Sequence, residues 1–270
     1  MACVGDDPCN WRRLAYVFGT LLSDGPALAD RDSVLSLVVH ELRTPVAVIK
    51  AYAQLLEAQA AQKRATPSGA REITAHILEQ ADLMADWVEA MLDLQRLQLG
   101  ELPLELTRVD LVQLAWTVGE ELQQTTHQHQ IRVTAARYVP PPIAADRRRL
   151  RQVLSNLLEN AVKYAAGGTI QVRVGVQHGS DRAIVAVHDE GPGLKRGDLD
   201  RIFAPFERGA RRGAGLGLGL YLARQIARLH GGDVWAESRG RMQGSTFVLA
   251  LPIHASAAVP TRRNGGGDGR

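Results

Sequence analysis

The sequence predicts an α-helical hairpin that completes a four-helix bundle with a second copy of itself, followed by an α/β sandwich whose mixed sheet carries helices on one face. Three observations predict this. Apolar residues recur at helical spacing through two long segments before residue 100. The stretch 100–103, with Gly100 and Pro103, then interrupts the pattern. Beyond it, short alternating strands are interleaved with helices, and two adjacent strands lack a helix between them, which a purely parallel sheet does not allow.

The first helix is expected over residues 30–61. Leu35, Leu42, Ile49 and Leu56 recur every seven residues, with Val38 and Tyr52 at the other seam position. This is a coiled-coil-like stripe. Residues 63–69 contain Pro67 and Gly69 and are expected to break the helix. A second helix is expected over 70–99, with Ile73, Ile77, Met84, Trp87, Met91 and Leu94 on its apolar face. A lone hairpin cannot bury both stripes, so a homodimeric four-helix bundle follows.

After the hinge, helices are expected over 110–124, 147–166 and 216–230. Strands are expected over 131–135, 169–177, 182–188, 234–238 and 246–251. The division is therefore 1–30 as a short leading segment, 31–100 as the hairpin, 107–254 as the sandwich, and 255–270 as a disordered tail. The polar stretch holding His127 and His129 reads as a solvated loop.

Gross composition narrows the function classes. A chain of 270 residues has room for a real core. The formal net charge is +3, and the last ten residues, with three Arg and one Asp, supply +2 of it. No nucleic-acid partner is inferred from so local an excess. Cys3 and Cys9 are the only cysteines, so no disulfide framework or CxxC metal pattern is possible. A reducing cytoplasm fits. No run approaches the roughly 18–20 apolar residues of a membrane span; the nearest, 14–22, is interrupted by Gly19 and Thr20.

Candidate functional residues fall into five blocks. The first is HELRTP at 40–45. His40 lies within the long helix, and Glu41 beside it can take the second imidazole proton. Thr44 is four residues on and shares the His40 face. Pro45 removes a backbone donor and favours a local kink. A neutral imidazole nitrogen is a good nucleophile near neutral pH.

The second block is LRQVLSNLLENAVKY at 150–164. At about 100° per residue, Asn156, Asn160 and Lys163 fall within roughly 60° of one another. One edge of that helix then presents two amides, whose oxygens can ligate Mg²⁺, and an ammonium that can meet phosphate. The third block is DEGPG at 189–193, where the Asp189 carboxylate can accept from an amino group and Gly191 and Gly193 allow close backbone approach. The fourth is IFAPF at 202–206, where Phe203 and Phe206 flank Ala204–Pro205 and Arg208 follows. The fifth is GAGLGLG at 213–219: Gly213, Gly215, Gly217 and Gly219 lead into a helix, the arrangement of a phosphate cradle. The stretch lacks the G-x-G-x-x-G spacing and the preceding strand of a dinucleotide fold, and no GxxxxGK[ST] occurs.

These blocks in this order, closed by Gly244-Ser245-Thr246, resemble the sensor histidine kinases of two-component signalling. The resemblance covers about residues 31–254 and joins a HisKA-type dimerisation hairpin to a GHKL-type ATP-binding domain. It implies that His40 accepts the γ-phosphoryl group of ATP, that Glu41 is the general base, and that Thr44 positions water for removing phosphate from the partner. It implies Asn156 and Asn160 as Mg²⁺–ATP ligands, and Lys163 and Tyr164 against phosphate and ribose. Asp189 with Gly191 and Gly193 would hold adenine. Phe203 and Phe206 would anchor a lid over the nucleotide, Arg208 would reach the phosphates, the four glycines would cradle them, and Thr246 would stand near the triphosphate. The implied partners are a second copy of the chain and the receiver domain of a response regulator. Topoisomerase- and chaperone-type ATPases share the ATP fold, but HELRTP in a helical hairpin argues against that class. Every catalytic position that can be matched is filled, which argues against a degenerate scaffold.

Overall fold

The computed structural model describes residues 28–62, 66–207 and 215–254. The segment 1–27 with Cys3 and Cys9, the side chain of Leu35, Arg208, Gly213 and the tail 255–270 lie outside the described residues. The chain divides into two compact units, Met1–Pro103 with Lys195–Gln225, and Leu104–Leu194 with Ile226–Arg270.

The first unit is built on the hairpin. Helix α1 spans Leu28–Ala61 and runs unbroken through Pro45. Helix α2 spans Pro67–Gln98, three residues earlier than the expected start at 70. Thr66 caps it by accepting the Gly69 N–H at 3.2 Å, and Pro67 occupies the first turn. A proline breaks a helix interior but suits its first position, where no N–H is needed. The helix stops at Gly100, which takes φ 67 and donates to Leu97, while the Glu101 N–H donates to Arg96 at 2.8 Å. Those bonds use carbonyls that a helix end leaves open.

The hairpin core is not formed by the hairpin alone. Val38, Leu42, Trp87 and Leu94 are buried together with Leu216, Leu218 and Leu222, and Phe206 and Tyr221 pack against them. The segment Lys195–Gln225 therefore belongs to this unit by its packing. It contains 3-10 turns at Arg196–Asp198 and Arg201–Phe203 and the first residues of helix α5, Gly219–Leu229. The expected start of α5 at 216 is too early: Gly215 and Gly217 have φ of 136 and 73, outside the helical region.

The second unit is a two-layer sandwich. Strands β1 (Thr107–Val109) and β3 (Ile143–Ala145) form a small antiparallel pair. The main sheet contains β2 (His129–Ala135), β4 (Gly168–Val176), β5 (Arg182–Asp189), β6 (Asp233–Glu237) and β7 (Ser245–Pro252), in the order β2-β4-β5-β7-β6. Only β2–β4 is parallel, so the sheet is mixed. Helix α3 (Leu111–Thr125) packs on β2 and β4, and α4 (Arg147–Tyr164) packs on α3, β4 and β5.

The α4 sequence explains this placement. Leu150, Val153, Leu154, Leu157, Leu158 and Ala161 recur at helical spacing, and all are buried. They meet Ile170, Val172, Val174, Val185 and Val187, which alternate along β4 and β5 and are also buried. Burial of side chains this size is worth about 1.5–3 kcal/mol each, which fixes α4 firmly against the sheet. Its N-terminus is capped by Asp146, whose Oδ1 accepts from Arg149 N–H at 3.0 Å.

The solvated-loop reading fails at His129. This residue opens β2 and is 7% exposed, with Nδ1 3.0 Å from Thr126 Oγ1. Gln123 secures the turn, donating to the carbonyls of Thr126 and His129 and accepting from Ile131 N–H.

Candidate functional site

Each unit presents one candidate site. On the hairpin, Val38 and Leu42 are one helical turn apart and both buried. His40, midway between them, projects from the opposite side of α1, with 74% of its side chain exposed. Its Nδ1 lies 3.4 Å from Glu41 Oε1, and the Glu41 side chain is only 16% exposed. With Nδ1–H directed at the carboxylate, Nε2 carries the lone pair. A largely shielded carboxylate beside an exposed imidazole thus selects a tautomer and steadies any positive charge gained by the ring. Thr44 is exposed on the same face, and Pro45 behind it is buried. The apolar band of Lys195–Gln225 sits against the other side of this helix, leaving His40 open.

Within that segment, Phe203 is buried, and the Arg224 guanidinium lies 5.0 Å from its ring centroid. Arg224 also faces Asp200 at 3.7 Å. Phe206 adopts φ 63, unusual for a bulky residue, and its N–H donates to Gly217 O at 3.1 Å. A Cβ on Gly217 would lie 2.5 Å from Glu207 O, so this close approach requires glycine. Phe203, Phe206, Gly215, Gly217 and Gly219 thus belong to one small folded segment of the first unit.

The second unit brings another set together. Asn156 and Asn160 are half-buried on one edge of α4. Lys163 follows them, with Nζ 5.5 Å from the Tyr164 ring centroid. The chain leaving α4 runs beside the end of β5: a Cβ on Gly191 would lie 3.4 Å from both Ala165 N and Cα. The amides, the ammonium and the Asp189 turn therefore share one end of the sandwich.

Asp189 is 3% exposed, and its Oδ1 accepts the Gly191 N–H at 2.8 Å. Burial raises its pKa above the ordinary carboxylate value, opposed by the backbone N–H groups of Gly191 and Ser245 and by His188. A buried carboxylate is costly unless donors meet it. Here the donors are backbone amides at a turn where side chains are excluded.

Thr246 stands apart from this turn. Its hydroxyl lies 3.0 Å from His188 Nδ1, and the pair shares the sheet face opposite Asp189. Ser245, directly across from Asp189 and buried, is the residue on Asp189's side. Period-two alternation separates two neighbouring hydroxyls of similar chemistry. The box Gly244-Ser245-Thr246 holds both hydroxyls, and the candidate drawn from it is Thr246; register puts Ser245, one position back, on the Asp189 face.

The donor set fits Mg²⁺–ATP chemically. It offers a buried acceptor for an amino group, two amide oxygens for a hard cation, and an ammonium for phosphate.

Residues 145–255 match the family described as histidine kinase-, DNA gyrase B- and HSP90-like ATPase, and residues 30–100 match the His Kinase A (phospho-acceptor) domain. The adaptive-response sensory kinase SasA of Synechococcus sp. (strain JA-3-3Ab) is 32% identical over 229 residues, covering 83% of this chain and 60% of SasA. The histidine protein kinase DivJ of Caulobacter vibrioides is 32% identical over 255 residues, covering 88% of this chain and 40% of DivJ. Among solved structures, full-length ShkA in complex with AMPPNP superposes with a TM-score of 0.57 at 29% identity, over 82% of this chain and 45% of ShkA. The chain thus spans less than two thirds of the length of each of these relatives.

Proposed function

The chain belongs to the sensor histidine kinases, and we propose that it phosphorylates itself on His40 with ATP and passes the phosphoryl group to an aspartate of a response regulator. The observation that carries this reading is the exposed His40 imidazole held by the shielded Glu41 carboxylate. Nε2 attacks the γ-phosphorus, the bond to the ADP oxygen breaks, and ADP leaves. The positive charge arising on the ring is met by Glu41 through Nδ1–H.

Asn156 and Asn160 would hold Mg²⁺, which would supply charge neutralisation at the phosphates. Lys163 and Tyr164 take phosphate and ribose, and Asp189, Gly191 and Gly193 hold adenine. The resemblance assigns Phe203 and Phe206 as lid anchors and Arg208, Gly213, Gly215, Gly217 and Gly219 as phosphate contacts. In this division of labour, 31–100 is the dimerisation and phosphotransfer hairpin and 107–254 is the catalytic domain. A need for ATP and for a receiver domain supports a cytoplasmic site of action. No described helix is long and apolar enough to cross a membrane.

Thr44, on the His40 face, serves regulator dephosphorylation by orienting water. A hydroxyl that both donates and accepts suits that task. The homodimer reading is supported by apolar side chains the single hairpin leaves uncovered. Leu78, Val88 and Leu92 on α2 and Leu99 at its C-cap are 57%, 42%, 40% and 48% exposed. Leu78, Leu92 and Leu99 stand at multiples of seven, a stripe suited to a second copy.

Incubation with labelled ATP tests the chemistry. A phosphoimidazole product is acid-labile and base-stable; an acid-stable label would reject the reading.

A further inference from the structure

The loop between β6 and β7 holds none of the five blocks and only Gly244 of the closing box, and three hydrogen bonds fasten it to the turn at 189–194. Ser238 is the hub. Its Oγ accepts from Leu194 N–H at 3.0 Å and from Gly240 N–H at 3.2 Å, and it donates to Gly244 O at 2.8 Å. A hydroxyl has one proton and two lone pairs, so these three bonds use its full capacity. They join three backbone segments: the exit of the Asp189 turn, the loop tip, and the start of β7.

The contact is close along its whole length. Met242 N–H donates to Pro192 O at 2.7 Å, and Gly244 N–H donates to Gly191 O at 3.2 Å. A Cβ on Gly193 would collide with the Gly240 carbonyl, and one on Gly244 would collide with the Asp189 carbonyl. Met242 itself is held at φ 61 while 83% exposed, so its backbone strain is not offset by burial of its side chain. The strain is sustained by the bond to Pro192.

We propose that Ser238 is a positioning residue for the nucleotide base. It clamps the loop 238–244 onto the turn 189–194 and so sets where the Asp189 carboxylate stands. The inference rests on the reading of Asp189 as the acceptor for a purine amino group. A carboxylate in that role discriminates a 6-amino purine from a 6-oxo purine only if its position is fixed. Loss of the Ser238 hydroxyl leaves two N–H groups and a carbonyl without this partner and frees the turn to shift.

The test measures initial autophosphorylation rates of the full chain against ATP and GTP concentration. Ser238→Ala is expected to raise the apparent KM for ATP about tenfold and to lower the preference for ATP over GTP by about the same factor, the size of one well-placed hydrogen bond. The maximal rate at saturating ATP should stay within about twofold. Ser238→Thr, which keeps the hydroxyl, should restore both values. A folded Ser238→Ala protein with unchanged KM and base preference overturns the proposal. So does a variant in which KM rises and maximal rate falls together while base preference holds, since that is the mark of a merely structural role. Should the alanine variant not fold, Ser238→Cys keeps the bulk with weak hydrogen bonding, and unfolding of both assigns the hydroxyl to stability alone and overturns the proposal. Asp189→Asn runs alongside. If it leaves base preference untouched, the nucleotide reading itself fails; if it abolishes the preference while Ser238→Ala does not, only the present inference fails.

Discussion

Asp146 donates its backbone N–H to His230 Nε2 at 3.0 Å, and His230 in turn directs Nδ1 at the Ile226 carbonyl at 2.8 Å. The two bonds require a neutral imidazole with its proton on Nδ1. They tie the residue just past α5 to the cap of α4. Asp146 completes the junction, accepting from Arg149 N–H and from Glu105 N–H, each at 3.0 Å.

This junction gives stability a defined pH dependence. Burial lowers the His230 pKa below its ordinary value, opposed by the Ile226 carbonyl and Asp146. The unfolded chain binds the proton more readily, so the His230 contribution is full above the usual imidazole pKa of about 6.5 and is lost as pH falls below it. For Asp146, burial acts upward but is outweighed by the backbone N–H groups of Arg149, Glu105 and Arg148 and by His230, leaving the pKa lowered. Its contribution is full above about 3.9 and is lost as pH falls through the lowered value. His230→Phe should lower Tm at pH 7.5 by a few degrees, consistent with about 1–2 kcal/mol. It should also flatten the decline of Tm between pH 7 and pH 5. An equally steep decline in the variant would assign that dependence to other groups.

Trp87 should be critical to the first unit. It is 7% exposed and shares a cluster with Val38, Leu42, Leu216, Leu218 and Leu222. Trp87→Ala should cost about 3–5 kcal/mol. Hydrogen exchange at Leu222 should accelerate along with the loss of thermal stability. Unchanged exchange there would mean that the packing of α5 on the hairpin contributes little.

Much of this was legible in the sequence, and the misreadings have physical causes. The heptads of α1 and the apolar face of α2 identified the hairpin. The core face of α4 identified the residues at its edge. Strands β1 and β3, at three residues each, are too short to show alternation. Pro67 looked like a helix breaker because its role depends on where the helix starts, which Thr66 decides. His129 looked solvated because its neighbours are polar, yet strand pairing with Gly168 buries it. The position of Ser245 on the Asp189 face and of Ser238 between three backbone segments follows from register and loop closure, which no local pattern announces.

Burial within one chain also bears on the proposed dimer. Leu42 belongs to the heptad stripe but is buried within a single chain, so charging it should unfold the unit rather than separate two copies. Leu92 and Leu99 remain 40% and 48% exposed. Leu92→Glu with Leu99→Glu should convert the proposed dimer to a folded monomer in sedimentation, through the cost of burying unpaired charge. A double variant that sediments as wild type would place the seam elsewhere.

The nucleotide reading separates into two measurements. Asn160→Asp should abolish autophosphorylation while the fold, read by circular dichroism, is retained. Asp189→Asn should weaken ATP binding. Because burial raises the Asp189 pKa, ATP affinity of the wild type should also fall on acidification at a pH above that of an ordinary carboxylate. Affinity unchanged down to the ordinary carboxylate range would remove Asp189 from the base site.

The central claim is that His40 is the acceptor, and the most direct measurement of it is labelling from [γ-³²P]ATP in wild type and His40→Gln, with the modified residue located by mass spectrometry. The account predicts acid-labile phosphate on His40 in the wild type and no label in the variant, with ATP binding intact in both. Persistent labelling of His40→Gln, at His76 or at any other residue, would contradict it.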